Sequence, residues 1–159
     1  MPGKVRVLFL CTGNSCRSQM AEAMLRYVGS ERFEACSAGS HPAGFIHPLA
    51  EECLRRMNLP IEGQSSKSWD EFARSPIDVV ITLCDSAAAE TCPVWPGTPL
   101  KAHWSLADPA YHLGSDAERV DFAMRIADRL RTKIQGLVEL DWSLSRAELK
   151  RRLEFLGEI

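Results

Sequence analysis

Residues 5–18 read VRVLFLCTGNSCRS and place a cysteine thiol, Cys11, at the junction between an apolar strand and a helix. The backbone N–H groups of such a loop and the helix N-terminus together form a cradle for an anion. Arg17 can add a planar fork for two oxygens of a tetrahedral anion, and the same positive field favours the nucleophilic thiolate of Cys11. The stretch therefore predicts a thiol site for oxyanions. We expect the oxyanion to be held by Thr12, Gly13, Asn14, Ser15, Cys16, Arg17 and Ser18.

Gly13 and Cys16 are small residues within this loop. A backbone wrapped closely around an anion needs a residue without Cβ, and Gly13 fits that need. Cys16 is either a second thiol near the site or a small buried residue that packs the loop onto the sheet. A cysteine followed at this spacing by an arginine is a weak signal by itself, and the flanking strand and helix make it specific.

The alternation of strands and helices along the chain predicts an α/β fold. Apolar runs at 5–10, 33–38, 79–83 and 99–104 have the composition of strands. Helices are predicted up to Gly29, from Pro48 to Asn58, and after the capping pairs Ser68 with Glu71, Ser115 with Glu118 and Ser145 with Glu148. The first helix should bury Met20, Ala23, Met24, Tyr27 and Val28. We expect three α/β/α layers built on a doubly wound, four-stranded parallel sheet.

The length, charge and cysteine content of the chain exclude several classes of protein. The 159 residues suit a single domain, 1–159, and a net charge of −2 with a pI near 6.1 gives no electrostatic footprint for nucleic acid. No segment approaches the ~20 apolar residues of a membrane span, and the N-terminal run lacks a signal-peptide cleavage site. The six cysteines need not pair in a chain of this length, and no Cys and His spacing matches a metal site. We therefore expect a cytoplasmic protein without nucleic-acid, membrane or metal partners.

Three reactive groups are predicted to meet at one edge of this sheet. Cys11 follows the first strand, Cys84 the third and Asp108 the fourth. The carboxyl ends of parallel strands share one edge, and ligands bind there in such folds. Pro109 restricts Asp108 to extended geometry, which holds the carboxyl group on a defined path.

Several motifs along the chain identify a family. They are the loop at 11–18, Ser37-Ala38-Gly39, Cys84 after an apolar strand, Cys92-Pro93, His103-Trp104 and Asp108-Pro109-Ala110. With them the chain resembles the low-molecular-weight protein tyrosine phosphatases over nearly its whole length. Within that family it is similar to the arsenate reductases that are coupled to thioredoxin or small thiols.

The resemblance implies reduction of arsenate to arsenite. It assigns Cys11 as the nucleophile, with Arg17 stabilising the oxyanion and Ser18 the thiolate. Asp108 is implied as the general acid, and Cys84 and Cys92 as a thiol-disulfide relay. Reduction takes two electrons, which two thiols supply when they form a disulfide, whereas a phosphatase needs one nucleophile.

The resemblance also implies an external thiol reductant and no bound cofactor. The spacing of Cys84 and Cys92 is one residue longer than in the thioredoxin-coupled members, so thioredoxin, glutaredoxin and a low-molecular-weight thiol all stay open as donors. Related reductases hold potassium with an Asn, a Glu, a Ser and an Asp, and Asn14, Glu22 and Ser37 match the first three. Lys67 takes the position of the Asp, and we expect its ammonium in place of the ion.

Two other functions are consistent with the same residues. A tyrosine phosphatase would use Cys11, Arg17 and Asp108. Such enzymes usually bind the phenyl ring of the substrate with aromatic residues near the acid loop, where this chain has Ala110 and a single Tyr111. A thiol-based sensor of arsenite or oxidants would need a DNA-binding or partner surface, which neither the charge nor a recognition helix supports.

The segment between the two relay cysteines is rich in helix formers. If it is helical, eight residues at 1.5 Å each place Cys84 and Cys92 about 12 Å apart. A disulfide needs Cα atoms within about 7 Å. We therefore expect residues 85–91 to unwind when the pair is oxidised.

Overall fold

The computed structural model describes residues 3–84 and 95–159, apart from the side chain of Tyr111. Its strands are β1 (Val5–Leu10), β2 (Phe33–Ala38), β3 (Val79–Thr82) and β4 (Leu100–His103). Its α-helices are α1 (Arg17–Gly29), α2 (Pro48–Arg56), α3 (Asp116–Glu139) and α4 (Arg146–Leu156). The strands pair in parallel in the order β2-β1-β3-β4, which confirms the predicted four-stranded, doubly wound sheet. Cys92 and the helix predicted at 85–91 lie outside the described residues.

The core lies on both faces of this sheet. Alternate residues of β1 point to opposite sides, so Val7 and Phe9 pack under the α-helices while Leu8 and Leu10 face the other way. In the described chain, that second face is covered by Phe72, Ile77 and Trp95, among others. The central strands are therefore buried on both faces, β3 over its whole length and β1 from Val7 to Leu10.

Local capping signals determine where the two C-terminal helices begin. The Ser115 hydroxyl accepts a hydrogen bond from the Glu118 N–H at 3.2 Å, and the Glu118 carboxylate accepts one from the Ser115 N–H at 3.1 Å. This reciprocal pair is the predicted capping box of α3. Ser145 likewise caps α4 by accepting from the Glu148 N–H.

Two predictions about local structure are wrong. Ser68 and Glu71 do not open an α-helix, because Ser68 accepts from the Asp70 N–H and the chain forms a 3₁₀ turn over Trp69–Phe72. Tyr27 and Val28 are exposed rather than buried. The last turn of α1 instead buries Leu25 and Gly29, and a Cβ on that glycine would lie 2.9 Å from the ring of Phe33.

The register of the sheet places the predicted reactive groups at one edge. Leu10 pairs with Ala38 on one side and with Thr82 on the other, so β1, β2 and β3 end together. Cys11 and Cys84 follow these ends, and the segment leading to Asp108 leaves β4 at the same edge. Within the described residues, no helix is long and apolar enough to cross a membrane.

Candidate active site

The thiol of Cys11 is buried at the start of the loop and lies 2.9 Å from the hydroxyl of Ser18. The direction of this hydrogen bond follows from its neighbours. The Lys67 backbone N–H, which can only donate, bonds to Oδ1 of Asn14 at 2.9 Å, so the amide Nδ2 of Asn14 must be the donor to Ser18 at 2.8 Å. Ser18 therefore keeps its own proton for the sulfur, and a hydrogen bond donated to sulfur stabilises a thiolate.

Arg17 opens α1 and is almost fully buried. Its Nη1 donates to the Leu106 carbonyl at 2.8 Å, and its Nη2 lies 3.1 Å from Oδ2 of Asp108. Its Nε is buried and has no hydrogen-bond partner among the described residues. Because Nε and Nη2 form one edge of the guanidinium, this is the edge that a tetrahedral anion would use as a bidentate fork.

Asp108 lies beside this fork, as the sequence predicts. Its Oδ1 accepts a hydrogen bond from the Ala110 N–H at 3.0 Å and so caps the 3₁₀ turn Pro109–Tyr111. Helix α3 holds the same loop, because the ring of Phe122 stacks on His112 at 4.1 Å and Arg119 donates to the Ala110 carbonyl. Sequence reasoning missed Arg119 and Phe122, which act on the loop only through tertiary packing.

Cys84 lies against Cys11. The two side chains form a small buried cluster, and the Cys84 sulfur is 3.5 Å from the hydroxyl of Thr12. The structure thus brings together Cys11, Cys84, Arg17 and Asp108 of the predicted catalytic residues. Cys92 falls outside the described residues.

A cleft of about 730 Å³ opens over these groups. The loop side chains divide into two sets. Thr12, Gly13, Ser15, Cys16 and Arg17 line the cleft, whereas Asn14 and Ser18 are fully buried and are turned toward the thiol and the loop. Segment 41–47 forms another wall of the cleft and contributes His41, Ala43, Phe45 and His47.

The structure favours the packing role for Cys16. Burial is the main cause that raises the pKa of its thiol far above the ordinary value, and the nearby Asp108 carboxylate adds to the rise. Cys36 and Cys53 are core residues, and burial raises the pKa of Cys36 to about 12 and that of Cys53 to about 11.

The close approach that the loop requires is at Gly39 rather than Gly13. A Cβ at Gly13 would meet only ordinary contacts of 3.6 and 4.0 Å. A Cβ at Gly39 would lie 2.4 Å from the Thr12 carbonyl oxygen and 2.7 Å from that of Cys11. The left-handed position in the loop is occupied by Asn14, with φ of 46°.

A second segment, 64–66, also supports the loop, and the sequence analysis did not identify it. Gln19 of α1 donates to the carbonyls of both Asn14 and Ser65, at 3.0 and 2.9 Å. Ser66 donates to the Gly13 carbonyl at 3.1 Å. The only sequence signal for this tether is a polar side chain, Gln19, within the buried part of a helix.

Lys67, which the sequence analysis names in the potassium comparison, lies near Glu22. Its ammonium lies 3.9 Å from the buried carboxylate of Glu22, which accepts a 2.7 Å hydrogen bond from Ser37 and pairs with Arg26. Two cationic side chains therefore face this carboxylate. Among residues 3–84 and 95–159, no group of three or more His, Cys, Asp or Glu side chains could hold a metal ion.

His47 is a further cleft residue that the sequence reasoning did not select. It caps α2, because its Nδ1 accepts from the Leu49 N–H at 3.0 Å, and its backbone N–H donates to the Ser15 carbonyl at 2.8 Å. Burial and the charge of Arg119 lower the pKa of His47, against an opposing effect of Asp108. The neutral ring therefore carries its proton on Nε2.

The groups at this edge of the sheet suit one kind of chemistry. A cysteine sulfur can attack a tetrahedral oxyanion that an arginine and backbone amides hold in place. This defines a thiol enzyme of the phosphatase-loop type. The chain belongs to the low molecular weight phosphotyrosine protein phosphatase family, whose match spans residues 6–153.

Individual relatives include both reductases and phosphatases. The arsenate reductase of Halalkalibacterium halodurans is 37% identical over 134 residues, which cover 84% of this chain and 94% of that protein. The thioredoxin-dependent arsenate reductase of Corynebacterium glutamicum matches with a TM-score of 0.59 and 31% identity, covering 84% of this chain and 63% of that one. The low molecular weight protein tyrosine phosphatase of T. tengcongensis matches with a TM-score of 0.69 and 25% identity, covering 86% and 99%.

Proposed function

We propose that this chain is an arsenate reductase that converts arsenate to arsenite. The contact between Cys11 and Cys84 carries the proposal, because reduction needs a second thiol beside the nucleophile and phosphate transfer does not. The relatives named arsenate reductase give independent support.

In the first step, the Cys11 thiolate attacks arsenic and an S–As bond forms. The Nε and Nη2 edge of Arg17 and the loop amides hold the oxyanion, which shares Nη2 with Asp108 or displaces it. Asp108 gives a proton to the departing hydroxide, which leaves as water. Asp108 lies beside the Arg17 edge that would hold the anion, 3.1 Å from Nη2, which places its carboxyl group close to a leaving oxygen.

In the second step, Cys84 attacks the sulfur of Cys11. A disulfide bond forms and the S–As bond breaks, and its electron pair remains on arsenic. Arsenic is thereby reduced from As(V) to As(III) and leaves as arsenite, while the two thiols are oxidised. Cys92 then attacks Cys84, which frees Cys11 and leaves a Cys84–Cys92 disulfide for an external donor to reduce.

The donor we propose is thioredoxin, with glutaredoxin or a low-molecular-weight thiol as the competing candidates. A structural relative is described as thioredoxin-dependent, which supports thioredoxin. Such a cycle needs a reducing compartment, and we propose the cytoplasm. We propose no resident cofactor and no potassium ion, since Lys67 and Arg26 already balance the charge of Glu22.

The test compares arsenite production by wild type, Cys84→Ser and Cys36→Ser with each donor in turn. We expect Cys84→Ser to lose multiple-turnover reduction while Cys36→Ser, a buried thiol away from the cleft, keeps it. Near-normal reduction by Cys84→Ser would refute the relay.

Phosphatase activity is the second candidate function, and it requires only Cys11, Arg17 and Asp108. Phe45, which is 55% exposed at the cleft wall, supports it because its ring can pack against an aryl leaving group. We expect Cys84→Ser to retain weak hydrolysis of an aryl phosphate, since water can resolve a phosphocysteine.

A further inference from the structure

His47 lies in the wall of the cleft and presents one ring nitrogen that the helix cap does not use. We infer that His47 is a substrate-binding residue, which donates a hydrogen bond from Nε2 to an oxygen of the bound oxyanion. This inference deepens the proposed function and rests on it, because it adds a contact to the oxyanion that the loop and Arg17 hold.

The cleft wall at 41–47 is held against the oxyanion loop by its own backbone. Three of its N–H groups donate to loop carbonyls, His41 to Thr12 at 2.9 Å, Ala43 to Gly13 at 2.9 Å and His47 to Ser15 at 2.8 Å. These bonds fix the position of the wall beside the loop. His47 is thus joined through its backbone to the loop that would hold the anion.

The cap of α2 determines which nitrogen of His47 carries the proton. The Leu49 N–H can only donate, so Nδ1 of His47 is an acceptor in their 3.0 Å hydrogen bond, and the neutral ring has its proton on Nε2. No partner for Nε2 is found among residues 3–84 and 95–159. Because the half-buried ring lines the cleft, a ligand there is the partner that this N–H can reach.

The charges around the ring place it near the Asp108 side of the cleft. Burial and the Arg119 guanidinium lower the pKa of His47, and the Asp108 carboxylate acts in the opposite direction. Asp108 is therefore within electrostatic reach of the ring, and it also lies 3.1 Å from Nη2 of Arg17. The ring, the acid and the arginine fork border the same part of the cleft.

A donor in the wall would complete the set of contacts to a tetrahedral anion. The Nε and Nη2 edge of Arg17 can hold two oxygens, and the loop amides bind the anion from the side of the loop. Because the sulfur of Cys11 is buried, the oxygen opposite it points out into the cleft. A hydrogen bond from His47 to this oxygen would orient the anion for attack from the opposite side.

Two substitutions separate the proposed donor from the cap. His47→Ser keeps a helix cap, as Ser115 and Ser145 do on α3 and α4, but its side chain is too short to donate to the anion. His47→Gln carries an amide nitrogen at about the reach of Nε2 and is a poor cap. Ser145→Ala is the control for stability, because it removes a cap from α4 and lies outside the cleft.

The experiment measures how inorganic phosphate protects Cys11 of the reduced full-length protein from an alkylating reagent. The phosphate concentration at half protection gives the affinity. We expect His47→Ser to bind phosphate about 10-fold to 10²-fold more weakly, as the loss of a hydrogen bond to a charged group predicts. His47→Gln should stay near wild type although its melting temperature falls, and Ser145→Ala should do the same.

Arsenate reduction by the same proteins gives a second measurement. His47→Ser should raise the KM for arsenate by a factor similar to its loss of phosphate affinity, with a smaller effect on kcat. His47→Gln should restore KM. A residue that acts only through the helix cap would give the reverse order, since serine keeps the cap and glutamine does not.

Several outcomes would overturn the inference. Wild-type phosphate affinity in His47→Ser would do so, as would a loss in His47→Gln as large as that in His47→Ser. A comparable loss in Ser145→Ala would attribute the effect to stability. Melting curves check that each variant folds, and His47→Asn replaces His47→Ser if the latter does not.

The phosphate and arsenate assays also separate this inference from the proposed function. Wild type that reduces arsenate, together with His47→Ser that binds phosphate normally, overturns the role of His47 alone. Wild type that reduces no arsenate overturns the reductase, whereas weakened phosphate binding in His47→Ser with rescue in His47→Gln would still support the contact.

Discussion

Replacing Gly39 by alanine is expected to displace the oxyanion loop from the end of β2. The added Cβ would lie 2.4 Å from the Thr12 carbonyl oxygen, 2.7 Å from that of Cys11 and 3.0 Å from the Asn14 nitrogen. All three neighbours are backbone atoms, so no side chain can rotate away. The shortest contact has to open by about 0.6 Å to reach the 3.0 Å below which Cβ contacts are essentially never seen.

The magnitude follows from this displacement. Overpacking of a rigid site costs about 1–3 kcal/mol. For a chain of this length, that lowers the melting temperature by roughly 2–12 °C. A shift of roughly half an ångström at the nucleophile should also reduce kcat/KM about 10-fold to 10²-fold, since misplacement by 1 Å can cost 10²-fold.

The assay measures thermal unfolding and arsenate reduction for Gly39→Ala beside Gly13→Ala. The control adds the same methyl group where it would meet only Ser15 Oγ at 3.6 Å and the Ala43 Cβ at 4.0 Å. We expect its melting temperature to stay near that of wild type. If Gly39→Ala matches wild type in both melting temperature and kcat/KM, then the loop is not held by this contact and the reasoning fails.

Three further predictions follow from the site. Arg17→Lys should lower kcat/KM by about 10²–10³-fold, because an ammonium cannot form the fork. In this variant, phosphate should no longer protect Cys11 from an alkylating reagent, and an alkylation rate that still falls when phosphate is added would contradict this. In wild type, the lowered pKa of His47 means that the unfolded state takes up the proton first, so the free energy of unfolding should fall as the pH drops below about 6.5. His47→Asn should show a smaller decrease over the same range. Urea unfolding of both proteins from pH 5 to 7.5 measures the difference, and parallel pH curves would refute it. Wild type should reduce arsenate equally in potassium and sodium chloride while Lys67→Ala gains a preference for potassium, and equal rates for the variant in both salts would argue against an ammonium standing in for the ion.

The sequence predicts those features that short stretches of chain determine. The capping box of Ser115 and Glu118 involves neighbours in sequence, so its pattern and its hydrogen bonds coincide. The apolar runs locate the strands to within a residue, and parallel order then places Cys11 and Cys84 at one edge without any knowledge of contacts. Tyr27 and Val28 show the limit of periodicity, because helical spacing does not tell which side of the last turn meets the sheet.

The remainder of the site depends on contacts between distant segments. Gln19 anchors residues 14 and 65 together, and Asn14 receives its orientation from the backbone of Lys67. Nothing in the local sequence of either segment encodes its partner. The loop sequence likewise indicates a need for glycine at Gly13, whereas it is Gly39, just after β2, that has no room for a side chain.

The arrangement of Arg17 links substrate binding to the position of the acid. Nη1 is committed to the Leu106 carbonyl, which fixes the guanidinium plane and leaves the Nε and Nη2 edge to face an anion. Asp108 already contacts Nη2 at 3.1 Å, so an oxyanion on this edge must share that nitrogen with the carboxylate or displace it. In either case the carboxyl group lies beside the oxygen atoms of the bound anion, where a proton can pass to a leaving group. The same contact that holds the acid loop in place therefore brings donor and leaving group together, and a lysine at position 17 would lose both the fork and this alignment.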